Sequence, residues 1–272
     1  MNALKDWVHA RRDRLTWLDC DRYVWSVFAG APERWHSDPG TMSSATAQAH
    51  KLLQSDVLAV DLLGPFSRHL VVGSAASVIC EVLEQEEPRL NLAATVDAMV
   101  HQFAGQADIV LGCPSPRRLL GEGVEVDFDA LDDVATALLD VVRTLADRPV
   151  HGLQITCDTE PGPDEDELDS WSSLLAAAQH YHWVTAIRLN GVTEPHQLDA
   201  VLAGDLLLLP QLEAEMVPDD RRHGGGLPPS AWADSSEAVR IVDAAGKRSF
   251  RFGEIPQDAS PEVVLDRIKA LH

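Results

Sequence analysis

A chain of 272 residues is long for an ordinary domain but typical of a single α/β barrel. It carries 43 acidic against 22 basic residues, a formal net charge of -21, and that field repels nucleic acid and anionic membrane surfaces. There is no bilayer-length apolar run, no signal-peptide core in the start MNALKDWVHARRDRL, and no CxxC among Cys20, Cys80, Cys113 and Cys157. A reduced, cytoplasmic chain without nucleic-acid or membrane partners is the expectation.

Leu4, Trp7, Val8 and Leu15 lie near helical spacing and predict a helix over 2–15, with a first strand around Leu15–Leu18. The Gly- and Pro-containing stretch 29–41 predicts a loop, so residues 1–44 read as an amino-terminal helix-and-loop extension to one domain spanning 1–272. Ser43–Leu53 is helical. Val57–Leu63, ending at Gly64-Pro65, has the short apolar run of a buried strand. Helices follow over 69–84 and 92–104, then a strand over Asp108–Cys113 stopped by Pro114. Residues 129–147 form an amphipathic helix with acids in its first turns. Val150–Thr156 is a strand, 164–180 a helix, Trp183–Leu189 a strand, 195–203 a helix, and Asp205–Leu209 a strand stopped by Pro210. Residues 213–237 read as a loop-rich insert, 238–243 and 248–252 as two more strands, and 260–271 as the last helix, opened by Ser260-Pro261-Glu262.

Strands alternating with helices imply parallel pairing with helices outside. No GxGxxG follows an early strand, which disfavours a doubly wound dinucleotide-binding sheet. The predicted fold is a TIM-type (β/α)8 barrel, irregular in places, with its ligand site at the carboxyl ends of the strands.

Four segments in order carry a resemblance: Gln54–Asp61, a strand ending in an acid; Leu111–Leu119, a strand with a proline turn into a helix; Ile187–Gly191; and Phe252–Glu262 leading into VVLDRIKAL. Together they resemble the uroporphyrinogen decarboxylase and cobalamin-independent methionine synthase superfamily over most of 45–272. The resemblance implies a TIM-like barrel with its pocket at the strands' carboxyl ends. Two departures narrow the chemistry. Arg188 and Asn190 stand where methyltransferase members carry the His and Cys of a zinc motif, and neither is a normal zinc ligand. Arg11, Arg12 and Arg14 lie outside the arginine motif by which true uroporphyrinogen decarboxylases hold substrate carboxylates.

Asp61, Cys113, Asp158, Asn190 and Glu254 all fall at or just past predicted strand ends, which converge on one mouth in a barrel. Asp61, Asp158 and Glu254 are the candidate catalytic acids. A strand-end Asp also commonly caps a turn, so position alone does not assign a role. Arg188 interrupts the apolar strand VTAIRLNG, and alternation with Ile187 and Leu189 sends it to the barrel interior. There it is expected to meet an acid or the carboxylate of a ligand, with Asn190 and Cys113 as further substrate contacts. On this reading Arg188→Met weakens ligand binding and leaves folding intact.

Cys20, Cys113 and Cys157, even with His69 or His182, show no ligand spacing, so neither metal nor cofactor is expected. His223-Gly-Gly-Gly226 lacks the GxSxG elbow an esterase would need and reads as a flexible loop, a lid over the mouth. Asp164–Glu167 is a solvated helix start, and Trp17, Trp25 and Trp35 are core or loop anchors.

The first functional expectation is an enzyme of the uroporphyrinogen decarboxylase-like class. It would act without metal or cofactor on a small anionic, carboxylated metabolite by decarboxylation or carbon–carbon lysis. Two alternatives are a methyl-transferring member with an altered metal site and a non-catalytic barrel that binds a ligand or partner. A homodimer is compatible with all three.

Overall fold

The computed structural model describes residues 2–121, 126–160, 162–194 and 204–271. Among them, eight parallel strands form one sheet: β1 (Leu15–Asp19), β2 (Val57–Asp61), β3 (Asp108–Pro114), β4 (Gly152–Cys157), β5 (Val184–Leu189), β6 (Leu206–Glu213), β7 (His223–Leu227) and β8 (Phe250–Glu254). Their order is β1-β8-β7-β6-β5-β4-β3-β2, and β1 and β2 come back beside each other, so the chain is a nearly closed TIM (β/α)8 barrel. Helices α2 (Asp21–Phe28), α3 (Pro39–Leu53), α4 (Ala76–Leu83), α5 (Glu86–Gln102), α6 (Pro116–Leu120) and α7 (Phe128–Arg143) belong to the first half. They are followed by α8 (Glu165–Ser170), α9 (Ser172–His180), α10 (Ser236–Ala245) and α11 (Pro261–Leu271).

The seam between β1 and β2 is closed largely by side chains. Asp56 N–H donates to Thr16 O (2.8 Å), Thr16 N–H returns to Asp56 Oδ2 (2.8 Å), and Leu18 N–H donates to Ser55 Oγ (3.0 Å). Ser55 is buried and its hydroxyl donates onward to Val57 O at 2.7 Å. Ser55→Ala leaves the Leu18 amide without its acceptor, and we expect a loss of about 1–2 kcal/mol in urea unfolding. A change below about 0.3 kcal/mol would show that water takes over the bond.

Alternation fills the barrel in layers. Leu15, Val57, Val184 and Phe250 face inward near the bottom; Trp17, Ala186 and Phe252 stack above them. Trp17 meets Phe252 edge-on with ring centroids 5.9 Å apart. The outward residues, including Ile155, Ile187 and Leu189, join the larger core under the helices. The bottom is plugged by α1 (Ala3–Val8), whose Ala3, Leu4 and Trp7 are buried against the interior layer. Asp108 at the start of β3 accepts from Leu4 N–H (2.8 Å), and Trp7 Nε1–H donates to Arg221 O (2.7 Å).

The structure corrects the sequence reading at several points: the helix expected over 2–15 ends at Val8, that over 92–104 starts already at Glu86, and Glu167 in the helix start 164–167 is buried, not solvated. The segment 1–44 is more than an extension, because residues 15–28 supply β1 and α2. The helix expected over 69–84 starts only at Ala76, and that over 164–180 divides at Trp171 into α8 and α9. Pro210 does not stop β6; the register shifts between Leu209 and Glu213, and a Pro is tolerated where no ladder bond is required. The strand expected over 238–243 is α10: Ser235 Oγ caps Ala238 N–H at 3.1 Å, and Ala238, Ile241, Val242 and Ala245 are buried at helical spacing. His223–Gly226 is not a lid but β7. A Cβ at Gly224 would sit 2.6 Å from the Phe250 ring and one at Gly225 2.7 Å from Val217, so close packing, not flexibility, selects these glycines. The helix expected over 195–203 lies outside the described residues.

Arg248 ties the β6–β7 connection down through Ala214 O (3.0 Å), Val217 O (2.9 Å) and Pro218 O (2.8 Å). Among the described residues no helix is long and apolar enough to cross a membrane.

Candidate functional site

Alternation that puts apolar residues inside the lower barrel puts polar ones at its top. One step beyond Trp17, Ala186 and Phe252 on their strands come Asp19, Arg188 and Glu254. Above them opens a cavity of about 570 Å³ at the carboxyl ends of the strands. All six residues expected at the mouth, Asp61, Cys113, Asp158, Arg188, Asn190 and Glu254, line this one cavity.

Arg188 is 7% exposed and arrives there already engaged. One terminal nitrogen pairs with Asp19 Oδ2, the other with Glu254 Oε2, and Nε–H donates to Asn190 Oδ1 at 2.8 Å. The Phe252 ring lies 5.8 Å from its guanidinium carbon. Burial alone would lower the Arg188 pKa, but Asp19 and Glu254 outweigh it and hold the group charged. The network continues through Asn190 Nδ2–H to Asp158 Oδ1 (2.6 Å), and Asp158 Oδ2 pairs with Arg118 Nε (2.9 Å). A connected polar belt thus runs from β1 and β8 across β5 to α6. Within it Asp158 and Glu254 each balance an arginine.

The acids on the β1–β2 side behave differently. Burial, then the charges of Asp19 and Asp61, push the Asp21 carboxyl up from 3.8 to about 8. Asp61 is raised too, chiefly by its depth in the protein. The Leu63 N–H (2.9 Å), His36 and Arg118 oppose that rise, and Asp19 adds to it. Asp61 does expose surface, but into the cavity, where surrounding protein rather than contact with water sets its proton affinity. Asp21, at about 8, thus favours its neutral form near pH 7, and it lines the same cavity as Asp61.

The thiols are inert by the same logic. Burial and Asp61 push Cys113 up, and Cys157 rises to about 12 through burial and then Glu167. Cys113 is a neutral wall of the cavity. Among the described residues, no group of three or more His, Cys, Asp or Glu side chains is arranged to hold a metal ion.

Sequence reasoning missed Asp19, Asp21, Arg22, Arg118, Gln154 and Thr156, which also line the cavity. For Asp19 the signal was present: Leu15, Trp17 and Asp19 alternate on one face of β1. Asp21 carried no such signal, because it begins α2 and reaches the cavity only through the turn that follows the strand.

No family model matches the chain, and no curated protein does. Solved structures share its fold. Two structures of the pneumococcal exo-β-D-N-acetylglucosaminidase, one of them described by its tandem GH20 catalytic modules, match with a TM-score of 0.52 at 8% identity. They cover 98% and 96% of this chain and 83% and 82% of those chains. The apo homocysteine methyltransferase of Escherichia coli matches at 11% identity over 99% of this chain and 98% of that one, with a TM-score of 0.48. At such identities the likeness is one of fold, a TIM barrel.

Proposed function

We propose that the mouth is an active site for acid–base chemistry on a small carboxylated metabolite, of the decarboxylase or carbon–carbon lyase type that the family resemblance implies. The observation that carries the reading is that Asp21 and Asp61, both pushed toward the neutral form chiefly by burial, line one cavity with the cationic side chain of Arg118. Loss of carbon dioxide leaves an electron pair on carbon, and a neutral carboxyl can supply the proton that carbon then needs. The proton leaves Asp21, the C–H bond forms, and Asp21 becomes a carboxylate next to Asp61.

Holding the substrate falls to Arg118 and Arg22 rather than to Arg188. Arg118 keeps 35% of its side chain exposed beside Asp158, and Arg22 projects from the first turn of α2. A planar guanidinium suits a carboxylate that is retained while another is lost. Arg188 is committed to Asp19 and Glu254 and orients Asn190, which in turn holds Asp158.

A panel of small di- and tricarboxylic acids, followed by carbon dioxide release, tests this reading. We expect Arg118→Met to raise KM roughly tenfold or more with a smaller change in kcat, as loss of ground-state binding does. If an acid binds, and Arg118→Met weakens that binding, but no acid is ever turned over, the barrel is a binding protein and the enzymatic reading is overturned.

A further inference from the structure

Two polar side chains at the floor of the mouth take no part in the arginine belt. In β4, Gln154 and Thr156 alternate inward while Leu153, Ile155 and Cys157 join the outer core. Both line the mouth cavity, although they are only 3% and 7% exposed. Gln154 Nε2–H donates to Thr156 Oγ1 at 3.1 Å, and Gln154 Oε1 has no partner. That bond occupies one lone pair of the Thr156 oxygen and leaves its own proton free, because among the described residues nothing accepts it. Gln154 is level with Ala186 in an otherwise apolar layer, where an amide is costly to keep unless something uses it.

The space beside the two is open. Gly112 stands between Asp61 of β2 and Gln154 of β4 in the strand register, and a Cβ built there would meet only Val60 O, at 3.6 Å. Two strand spacings separate Asp61 from Gln154, about 10 Å between backbones. With a side chain reaching in from each end, that span suits a ligand of a few carbon atoms lying across Gly112.

We propose that Thr156, held by Gln154, is the subsite for a carbonyl oxygen, and that the substrate is a 3-oxo carboxylate. The proposal rests on the lyase reading of the mouth. When the bond between the substrate α-carbon and its carboxylate breaks, carbon dioxide leaves and the electron pair moves into an enolate whose charge sits on the carbonyl oxygen. The Thr156 O–H donates to that oxygen, and the Gln154 N–H behind it strengthens the donor. Asp21 then gives its proton to the α-carbon, the C=O bond re-forms, and solvent reprotonates Asp21. One proton is consumed for each carbon dioxide released, and the balance needs neither oxidant nor reductant. Thr156 is thus a catalytic residue and Gln154 a positioning residue.

The probe is 3-oxoglutaric acid carrying a carbon isotope label at its carbonyl. On binding, the labelled carbonyl should move downfield in carbon NMR, as a hydrogen bond to its oxygen requires, and the near-isosteric Thr156→Val should abolish that move. In turnover above the spontaneous rate, Thr156→Val should cut kcat roughly a hundredfold with little change in KM, and Thr156→Ser should restore most of the rate. Gln154→Met should cut kcat roughly tenfold, and Gly112→Val, which fills the floor, should weaken binding by a similar factor. A carbonyl signal that stays put, or that moves equally in Thr156→Val, overturns the subsite, as does failure of the probe to bind. Wild-type kcat in Thr156→Val overturns it and leaves the lyase reading standing; so does carbon dioxide release from acids without a 3-oxo group but not from the probe. Wild-type affinity in Gly112→Val counts against a ligand lying across that residue. A shift that Thr156→Val abolishes, with no acid turned over, overturns the lyase reading and leaves the oxygen site standing.

Discussion

Replacing Arg188 with Met is expected to lower stability by about 2–4 kcal/mol, the range for a buried ion pair stripped of one partner. The sequence reading anticipated a harmless change in folding, because a lone interior cation costs desolvation. The structure reverses that balance. Arg188 is held by Asp19 and Glu254 together, and Met would leave two carboxylates facing the same cavity without a cation. Their partial exposure, 17% and 32% of the side chain, lets water offset part of the penalty, so we place the loss below the upper end for fully sealed pairs. Adding Glu254→Gln to Arg188→Met should recover part of the loss, and the double-mutant cycle measures the coupling. Urea unfolding gives the answer; a single-variant loss under about 0.5 kcal/mol would mean that the belt is solvated and contributes little.

Asp21→Asn is expected to raise stability at neutral and higher pH and to cut turnover sharply at once. The folded-state pKa of Asp21, about 8, lies above its ordinary value of 3.8. Between those values the folded protein binds a proton that the unfolded chain has released, so stability falls as pH rises through that window. The contribution of protonated Asp21 is fully present below about pH 4 and is lost by the time the pH has passed about 8. Asn carries no such dependence. The gain of Asp21→Asn over wild type should therefore be absent near pH 4 and reach about 2 kcal/mol above pH 8, discounted because the carboxyl lines an open cavity. In parallel, kcat should drop roughly a hundred- to ten-thousand-fold, the usual contribution of a positioned acid. Stability curves at a series of pH values test the first part. A gain that does not depend on pH would mean that Asp21 is ionised throughout the neutral range, and the acid pair would have to be abandoned. A stability gain bought by loss of function is the signature of a residue kept for chemistry.

The sequence by itself determined the barrel and the end of it that matters. Short apolar runs at 57–63, 108–113, 150–156 and 183–189, separated by helices, leave parallel pairing as the way to bury both faces of each strand. Strand ends then converge, which is why Asp61, Cys113, Asp158, Arg188, Asn190 and Glu254 could be named before any coordinates and line a single cavity. Alternation also sent Arg188 inward, with Ile187 and Leu189 going to the outer core. Local pattern failed where packing overrides propensity. His223–Gly226 is glycine-rich because Phe250 and Val217 crowd it, and a strand built of glycine carries no hydrophobic period to read. Which charges meet was decided by tertiary structure alone. Asp19 and Glu254 lie 169 and 66 residues from Arg188, yet β1 and β8 are neighbours and aim both at its fork. The same holds for proton affinity. Asp21 and Asp61 are 40 residues apart in sequence and carry no mark of their own; what raises both is burial first, with the charge of Asp19 adding to each and that of Asp61 adding to Asp21, effects that exist only once the barrel has folded.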